Sequence, residues 1–267
     1  MNVNELYNLK NKVAIVTGAT TGLGIQFATA LAEAKANVVI ASRRYDRCKK
    51  FSNELKKKYN IDSMGVELDV TKEEDVERLV KEVVDHFGRI DIIVNNSGIV
   101  KIEDSLDINI LDWKQVIDTN LNGLFLCCKH VGKQMIKQNY GKIVNIASVY
   151  SIRGRDWRNY VTPEKVNTTF SYSASKGGVA MLTRDMAADL AKHNITVNAI
   201  SPGAFMTEMT EKYCDKYTID KLTYRIPVGR WGNDDDLKGI LVFLSSDASK
   251  YVIGQNIVVD GGLISWC

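Results

Sequence analysis

The chain has 267 residues, of which 45% are apolar and 25% charged, with a formal net charge of +3; this is the balance of an ordinary globular protein, long enough to bury a core without disulfides or metals. Its basic residues are interspersed with acidic ones, which argues against a nucleic-acid partner, and no apolar segment reaches signal-peptide or membrane-spanning length. The five cysteines form no C-x-x-C pair, and the three histidines, His86, His130 and His193, stand apart without ligand spacing, so the expectation is a reducing, cytoplasmic setting with no membrane partner and no metal.

Taken in order, Val13-Ala14-Ile15-Val16 is a β-branched run that is apolar on both faces, the pattern of a strand buried twice in a parallel sheet. Thr17-Gly18-Ala19-Thr20-Thr21-Gly22-Leu23-Gly24 follows at once, and Phe27, Ala28, Leu31 and Ala32 then recur at helical spacing. Strand, glycine turn and helix together make a cradle for a dinucleotide pyrophosphate. Glycines permit a tight turn and close approach, while the helix start offers free N–H groups and the positive end of a dipole. The second strand, 37–42, ends in Ser42-Arg43-Arg44, where a cofactor with a bare ribose hydroxyl asks for a carboxylate. Two guanidiniums suit a 2′-phosphate instead, so the expected cofactor is NADP(H) rather than NAD(H).

A helix over 46–58 is expected to bury Phe51 and Leu55 and to leave its lysines in solvent. Strand three, 64–68, runs into Asp69-Val70, and Thr71-Lys72-Glu73-Glu74 reads as a capping box opening a helix that reaches Phe87. Strand four, 91–94, closes on Asn95-Asn96-Ser97-Gly98. One long helix is predicted from Asp112 through Cys128, with Asn120 among its apolar residues. A buried amide must find partners or it costs about 1 to 3 kcal/mol, so Asn120 is either a bridging residue or a fixed polar group in a proton path. Strand five is 142–146 with Ser148 just beyond it, strand six is 196–200 before Ser201-Pro202-Gly203, and strand seven is 256–259 before Asp260-Gly261-Gly262. This alternation predicts an α/β fold: a single Rossmann-type doubly wound domain, its seven-stranded parallel sheet flanked by helices and its ligand-facing turns at one edge.

Between strands five and six, Ser171-Tyr172-Ser173-Ala174-Ser175-Lys176 opens a segment in which Val179, Leu182, Met186 and Leu190 keep helical spacing. Tyr172 and Lys176 then share a face one turn apart. An ammonium beside a phenol favours the phenolate, which draws Tyr172 down from its usual pKa of about 10 and equips it as a general acid/base.

Thr17-Gly18-x-x-x-Gly22-x-Gly24, Asp69-Val70, Asn95-Asn96-Ser97-Gly98, Asn120, Ser148, Tyr172-x-x-x-Lys176, Pro202-Gly203 and Asp260-Gly261-Gly262 occur in one order across nearly the whole chain. In this the chain resembles the short-chain dehydrogenases/reductases, and among them hydroxysteroid dehydrogenases and gluconate 5-dehydrogenase-like members. The resemblance implies hydride transfer between NADP(H) and a carbonyl or alcohol. By it, Tyr172 exchanges the proton, Ser148 holds the substrate oxygen, Lys176 holds the nicotinamide ribose, and Asn120 holds a relay water through its backbone. It also places Gly18, Thr20, Gly22, Leu23 and Gly24 at the cofactor phosphates, Asp69 and Val70 at the adenine, Asn96 and Gly98 along the ribose, and Pro202, Gly203, Phe205 and Thr207 near the nicotinamide. A homotetramer is implied, with residues 263–267 at an interface.

Two departures stand out. Ser97 replaces the family's usual alanine, and the stretch between Ser148 and Tyr172 is longer than usual. The insertion, 152–170, carries Arg153, Arg155, Trp157, Arg158, Tyr160 and Phe170, which suits either a ligand with an apolar body and an acidic group or a surface or interface loop. A lid is expected near 204–225, where Phe205, Met206, Met209, Tyr213 and Tyr217 offer adaptable apolar surface. Arg155, Trp157, Phe205 and Met209 therefore join Ser148 and Tyr172 as expected substrate contacts. The favoured substrate is a hydroxysteroid such as a bile acid, the alternative a gluconate-type sugar acid. A non-catalytic dinucleotide sensor is the distant alternative, since a sensor has no need of the tyrosine and lysine.

Overall fold

The computed structural model describes residues 2–104, 106–156 and 167–266. A short helix α1 (Val3–Leu6) precedes β1 (Val13–Thr17), which leads through the glycine turn into α2 (Leu23–Glu33). The first half continues with β2 (Asn37–Ser42), α3 (Tyr45–Tyr59), β3 (Ser63–Glu67), α4 (Glu73–Phe87) and β4 (Ile92–Asn95). Next come β5 (Glu103–Asp104), α5 (Ile110–Ile117), a π-helical turn (Asp118–Asn122), α6 (Gly123–Gln138), β6 (Gly141–Ile146), β7 (Asn167–Thr168) and α7 (Phe170–Leu190). The chain closes with β8 (Ile195–Pro202), α8 (Glu208–Tyr213), α9 (Lys216–Arg225), α10 (Lys238–Ser245) and β9 (Asn256–Val259).

Seven strands form one parallel sheet in the order β3-β2-β1-β4-β6-β8-β9, giving the single Rossmann-type domain that the strand–helix alternation implies. The chain leaves β1 toward one edge and returns to β4 on the other side of it. The carboxyl ends of β1 and β4 therefore flank the crevice at the topological switch point. Successive strand residues serve opposite layers: Val13, Ile15, Val39 and Ala41 join the core under α4, α6 and α7, while Ala14, Val16, Val38 and Ile40 join the core under α2, α3 and α10. Burial on both faces is why these strands read as continuous apolar runs.

Three local features differ from the sequence expectation. Helix α4 begins at Glu73, and its N-cap Lys72 makes no side-chain cap, so the capping box at 71–74 is absent. Thr71 Oγ1 donates instead to Asp69 Oδ1 at 2.8 Å, and Asp75 Oδ2 accepts from the Asp69 amide at 3.0 Å. The helix expected to run unbroken from Asp112 is interrupted by the π-helical turn that contains Asn120. Finally β5 pairs antiparallel with β7, Glu103 opposite Thr168, a two-stranded ribbon that no alternation in the sequence announces.

Candidate active site

A cleft of about 970 Å³ opens at the carboxyl edge of the sheet, over the switch point. The turns after β1 and β4 are knitted together beneath it. Thr17 Oγ1 accepts from the amides of Asn96 and Ser97, both at 3.1 Å, and Asn96 Nδ2 donates to the carbonyls of Thr17 at 3.0 Å and Gly18 at 3.1 Å. Gly18 takes a φ of +63°, and a Cβ on it would lie 3.0 Å from the Cα of Ser97, so the turn needs glycine here. Gly18, Thr20, Gly22 and Leu23 line the cleft, whereas Gly24 does not. A Cβ on Gly24 would fall 2.3 Å from the Gly18 carbonyl oxygen. The missing side chain at Gly24 lets α2 sit against the turn.

At the end of β2, Arg44 Nη2 donates to Thr20 Oγ1 and Thr21 Oγ1, each at 3.3 Å, and Ser42 Oγ lies 3.2 Å from Thr20 Oγ1. Arg43, Asp69, Val70, Asn96 and Gly98 line the same cleft. Two guanidiniums beside two threonine hydroxyls, with no carboxylate on β2, fit a phosphate on the ribose.

Ser148, Tyr172 and Lys176 converge on the other half of the cleft, with Pro202, Gly203, Phe205 and Thr207. Ser148 caps the short 3-10 turn Val149–Ser151, its Oγ accepting from the Tyr150 amide at 3.2 Å, and the Ser148 hydroxyl is also hydrogen-bonded to the Tyr172 phenol. Tyr150, which the sequence did not single out, meets the Tyr172 ring edge-on, with centroids 6.4 Å apart. Lys176 is 4% exposed; its Nζ donates to the Ile146 carbonyl at 2.6 Å and stands 5.7 Å from the centroid of the Tyr172 ring.

The electrostatics differ from the simple Tyr–Lys picture. Burial pushes the Tyr172 phenol up to about 12, against the pull of the Ser148 hydrogen bond, and burial draws Lys176 down to about 8. Burial is the largest cause of the Tyr172 shift and the neighbouring Tyr150 adds to it, while the Lys176 ammonium donates to the strand carbonyl of Ile146. Tyr172 is thus held in its neutral, protonated form.

Asn120 does not line the cleft but lies fully buried behind it. Its Oδ1 accepts from the Ile99 amide at 2.8 Å, and its Nδ2 donates to the Ile99 carbonyl at 2.9 Å and to Ser175 Oγ at 3.1 Å. A Cβ on Gly98 would lie 3.4 Å from Asn120 Oδ1 and 3.6 Å from Lys176 Nζ, so the three residues meet. The π-helical turn is what aims this amide; such single-turn bulges recur at functional sites.

The expected substrate contacts divide. Ser148, Tyr172 and Phe205 line the cleft. Arg155 is not among the residues lining the cleft; its charge acts on the Cys214 thiol, between α8 and α9. Trp157, Arg158, Tyr160 and the Met209 and Tyr213 side chains lie outside the described residues. Met206 and Tyr217, 40% and 45% exposed, do not line the cleft either. The residues of the 204–225 segment that do are Phe205, Thr207, Glu208 and Thr210. Thr210 and Glu208 were missed by the sequence reading, although Thr207 and Thr210 form a capping box at the start of α8, a legible signal.

Away from the cleft, donor atoms of Glu73, Glu77 and His130 lie within 4.8 Å of one another, a grouping that sequence spacing did not reveal. Lys129 Nζ and His130 Nε2 both reach Glu73 Oε1, at 2.6 Å and 2.7 Å. The cluster is an ion-pair clamp between α4 and α6.

Residues 18–264 match the family model described as enoyl-(acyl carrier protein) reductase, of the short-chain alcohol dehydrogenase type. The chain belongs to the short-chain dehydrogenase/reductase family. As a short-chain dehydrogenase/reductase it is an oxidoreductase of alcohol and ketone substrates. It is 38% identical over 264 residues to 2-dehydro-3-deoxy-D-gluconate 5-dehydrogenase of Formosa agariphila, covering 98% of this chain and 96% of that protein. It is likewise 38% identical to the 3-oxoacyl-(acyl-carrier-protein) reductase FabG of Staphylococcus epidermidis, over 95% of this chain and 99% of that one. Among solved short-chain dehydrogenases/reductases, gluconate 5-dehydrogenase from Burkholderia cenocepacia in complex with NADP and tartrate superposes with a TM-score of 0.92 at 34% identity, over 100% of both chains. No helix among the described residues is long and apolar enough to cross a membrane.

Proposed function

We propose that this chain is an NADP(H)-dependent oxidoreductase interconverting a secondary alcohol and a ketone on a gluconate-type sugar acid. One observation carries the substrate class: the described lid residues that face the cleft are mostly hydrogen-bonding, Thr207, Glu208 and Thr210, while Met206 and Tyr217 lie off it. Hydroxyl-bearing walls suit a polyol, whereas a bile acid asks for a wide apolar wall. The sugar-acid dehydrogenases among its relatives favour the same side, so the sugar acid, the alternative in the sequence reading, replaces the hydroxysteroid as the leading substrate.

Arg43, Arg44 and Thr20 would hold the 2′-phosphate, and Gly18, Gly22 and Leu23 the pyrophosphate, with Asp69 and Val70 at the adenine and Asn96 and Gly98 along the ribose. When bound, NADPH supplies the hydride. Tyr172 Oη gives its proton to the carbonyl oxygen, and Ser148 Oγ donates a hydrogen bond to the same atom, placing a donor where negative charge develops. Lys176 anchors the ribose hydroxyls, and Asn120 fixes the loop at Ile99 against Ser175. Pro202, Gly203, Phe205 and Thr207 form the nicotinamide side, with the 204–225 lid over the substrate. The wider reading is a cytoplasmic homotetramer; Phe125 on α6 and Met181 on α7, 45% and 61% exposed, offer apolar surface for a subunit contact.

The test is a spectrophotometric screen of purified protein with NADP+ and NAD+ against sugar acids, bile acids and 3-hydroxyacyl thioesters, following reduced cofactor. Turnover of sugar acids with NADP+ is the expected result. Turnover confined to bile acids or thioesters would sink the substrate reading, and NAD+ preference the cofactor reading.

A further inference from the structure

Two contacts join the start of the insertion to the 204–225 segment and to the C-terminal tail, and a third joins the tail to that segment. Asp156 forms an ion pair with Arg225, the last residue of α9, with side-chain exposures of 10% and 25%. Arg153 Nη1 donates to the Leu263 carbonyl at 3.4 Å, and Trp266 Nε1 donates to the Arg225 carbonyl at 2.9 Å. Arg225 is therefore held at both ends, by the insertion through its guanidinium and by the tail through its carbonyl.

The lid hangs between two points. It leaves the sheet at the end of β8, presents Thr207, Glu208 and Thr210 to the cleft, and ends at Arg225. A further tie on α9 is the Trp231 indole, which donates to the Ile219 carbonyl at 3.4 Å, and Thr218 and Leu222 of α9 are buried. A partly buried ion pair adds little net stability, because desolvation offsets its attraction, but its hydrogen-bond geometry fixes where its two segments sit. Asp156 stands at the start of the insertion and Arg225 at the far end of the 204–225 segment.

We propose that Asp156 and Arg225 are a positioning pair: the start of the insertion, residues 152–156, serves this enzyme as the strut that sets the lid over the substrate end of the cleft, leaving the nucleotide end untouched. This rests on the reading that substrate lies between Tyr172 and the lid. Neither residue touches the reacting atoms, so the pair acts on substrate KM more than on kcat or cofactor binding.

The experiment compares Asp156→Asn, Arg225→Gln and the charge-exchanged double variant D156R/R225D in the full chain. Each single variant is expected to raise the substrate KM about tenfold, in line with the coupling energies of contacting pairs. NADPH affinity, read by fluorescence titration, should stay unchanged, and the exchanged pair should recover most of the KM. Hydrogen exchange across α9 is read in parallel and is expected to accelerate in Asp156→Asn. Unaltered KM and exchange in the single variants, or a double variant that regains the melting temperature but not the KM, would overturn the proposal. Accelerated exchange in a protein that turns over no sugar acid would support the strut and sink only the substrate reading.

Discussion

Asn120 and Ile99 exchange two hydrogen bonds, Oδ1 accepting from the Ile99 amide at 2.8 Å and Nδ2 donating to the Ile99 carbonyl at 2.9 Å, so one side chain pairs with a loop as a neighbouring strand would. The third bond, to Ser175 Oγ at 3.1 Å, joins that loop to α7 one residue before Lys176. Asn120→Ala leaves two backbone groups of Ile99 without partners. It should cost about 1 to 3 kcal/mol of stability and lower kcat by displacing Gly98 and Lys176. Calorimetry with steady-state kinetics decides: full activity in a stable Asn120→Ala enzyme would make the amide mere packing.

Gly24 is predicted to be intolerant of even one methyl group. A Cβ there would sit 2.3 Å from the Gly18 carbonyl oxygen and 2.8 Å from the Ala19 Cα, both backbone atoms that cannot rotate away. Gly24→Ala should therefore push α2 off the turn, at about 1 to 3 kcal/mol for overpacking, and weaken NADPH binding by disordering residues 18–23. An unchanged melting temperature would show that α2 has room to move.

Cofactor choice should respond to Arg44 and Arg43 separately. Arg44 is already anchored on Thr20 and Thr21, each at 3.3 Å, so its fork is pre-organised. Removing it with Arg44→Ala should raise the NADPH dissociation constant by roughly tenfold to a hundredfold, the worth of a charge-assisted hydrogen bond, with little effect on NADH. Arg43→Ala should move it in the same direction but less. Equal losses for both cofactors in a binding titration would remove the 2′-phosphate assignment.

The parts legible in the sequence were those written in local pattern: doubly buried strands such as Val13–Thr17, the glycine turn, and Tyr172 and Lys176 one turn apart. Illegible parts were decided by partners far away in the chain. The π-helical turn exists because Asn120 must reach Ile99 and Ser175, which no helical periodicity encodes. The type of Arg155 suits an anion, but its effect on the Cys214 thiol and the neighbouring Asp156–Arg225 pair join parts of the chain far apart in sequence, which no local pattern encodes. The Tyr172 pKa lies above rather than below its ordinary value because the phenol is buried, which spacing in the sequence does not show.

Acid should loosen the clamp between α4 and α6. Lys129 and then His130 hold the Glu73 carboxyl down to about 2, from an ordinary value of 4.5. A depressed folded pKa means stability that is present above the unfolded value and lost as pH falls through the folded one. Glu73→Gln should therefore flatten the dependence of melting temperature on pH between about 4.5 and 2. Parallel curves for the variant and the parent would show that the exposed cluster contributes nothing.

Lys176 should leave a signature at the alkaline end, in both stability and turnover. Burial lowers its folded pKa to about 8, from 10.5 for the free side chain, so between those values the unfolded chain holds a proton that the folded one has released. Stability then rises with pH across that window, by on the order of 3 kcal/mol at most. The rise should be absent in Lys176→Met, which gives a difference measurement free of other alkaline groups. Turnover should run the opposite way: kcat/KM for ketone reduction should fall as pH passes about 8, where the charge that Lys176 brings to the site is lost while Tyr172 is still protonated. If reduction holds constant to pH 10, the ammonium is dispensable and Lys176 acts through its bond to Ile146 alone.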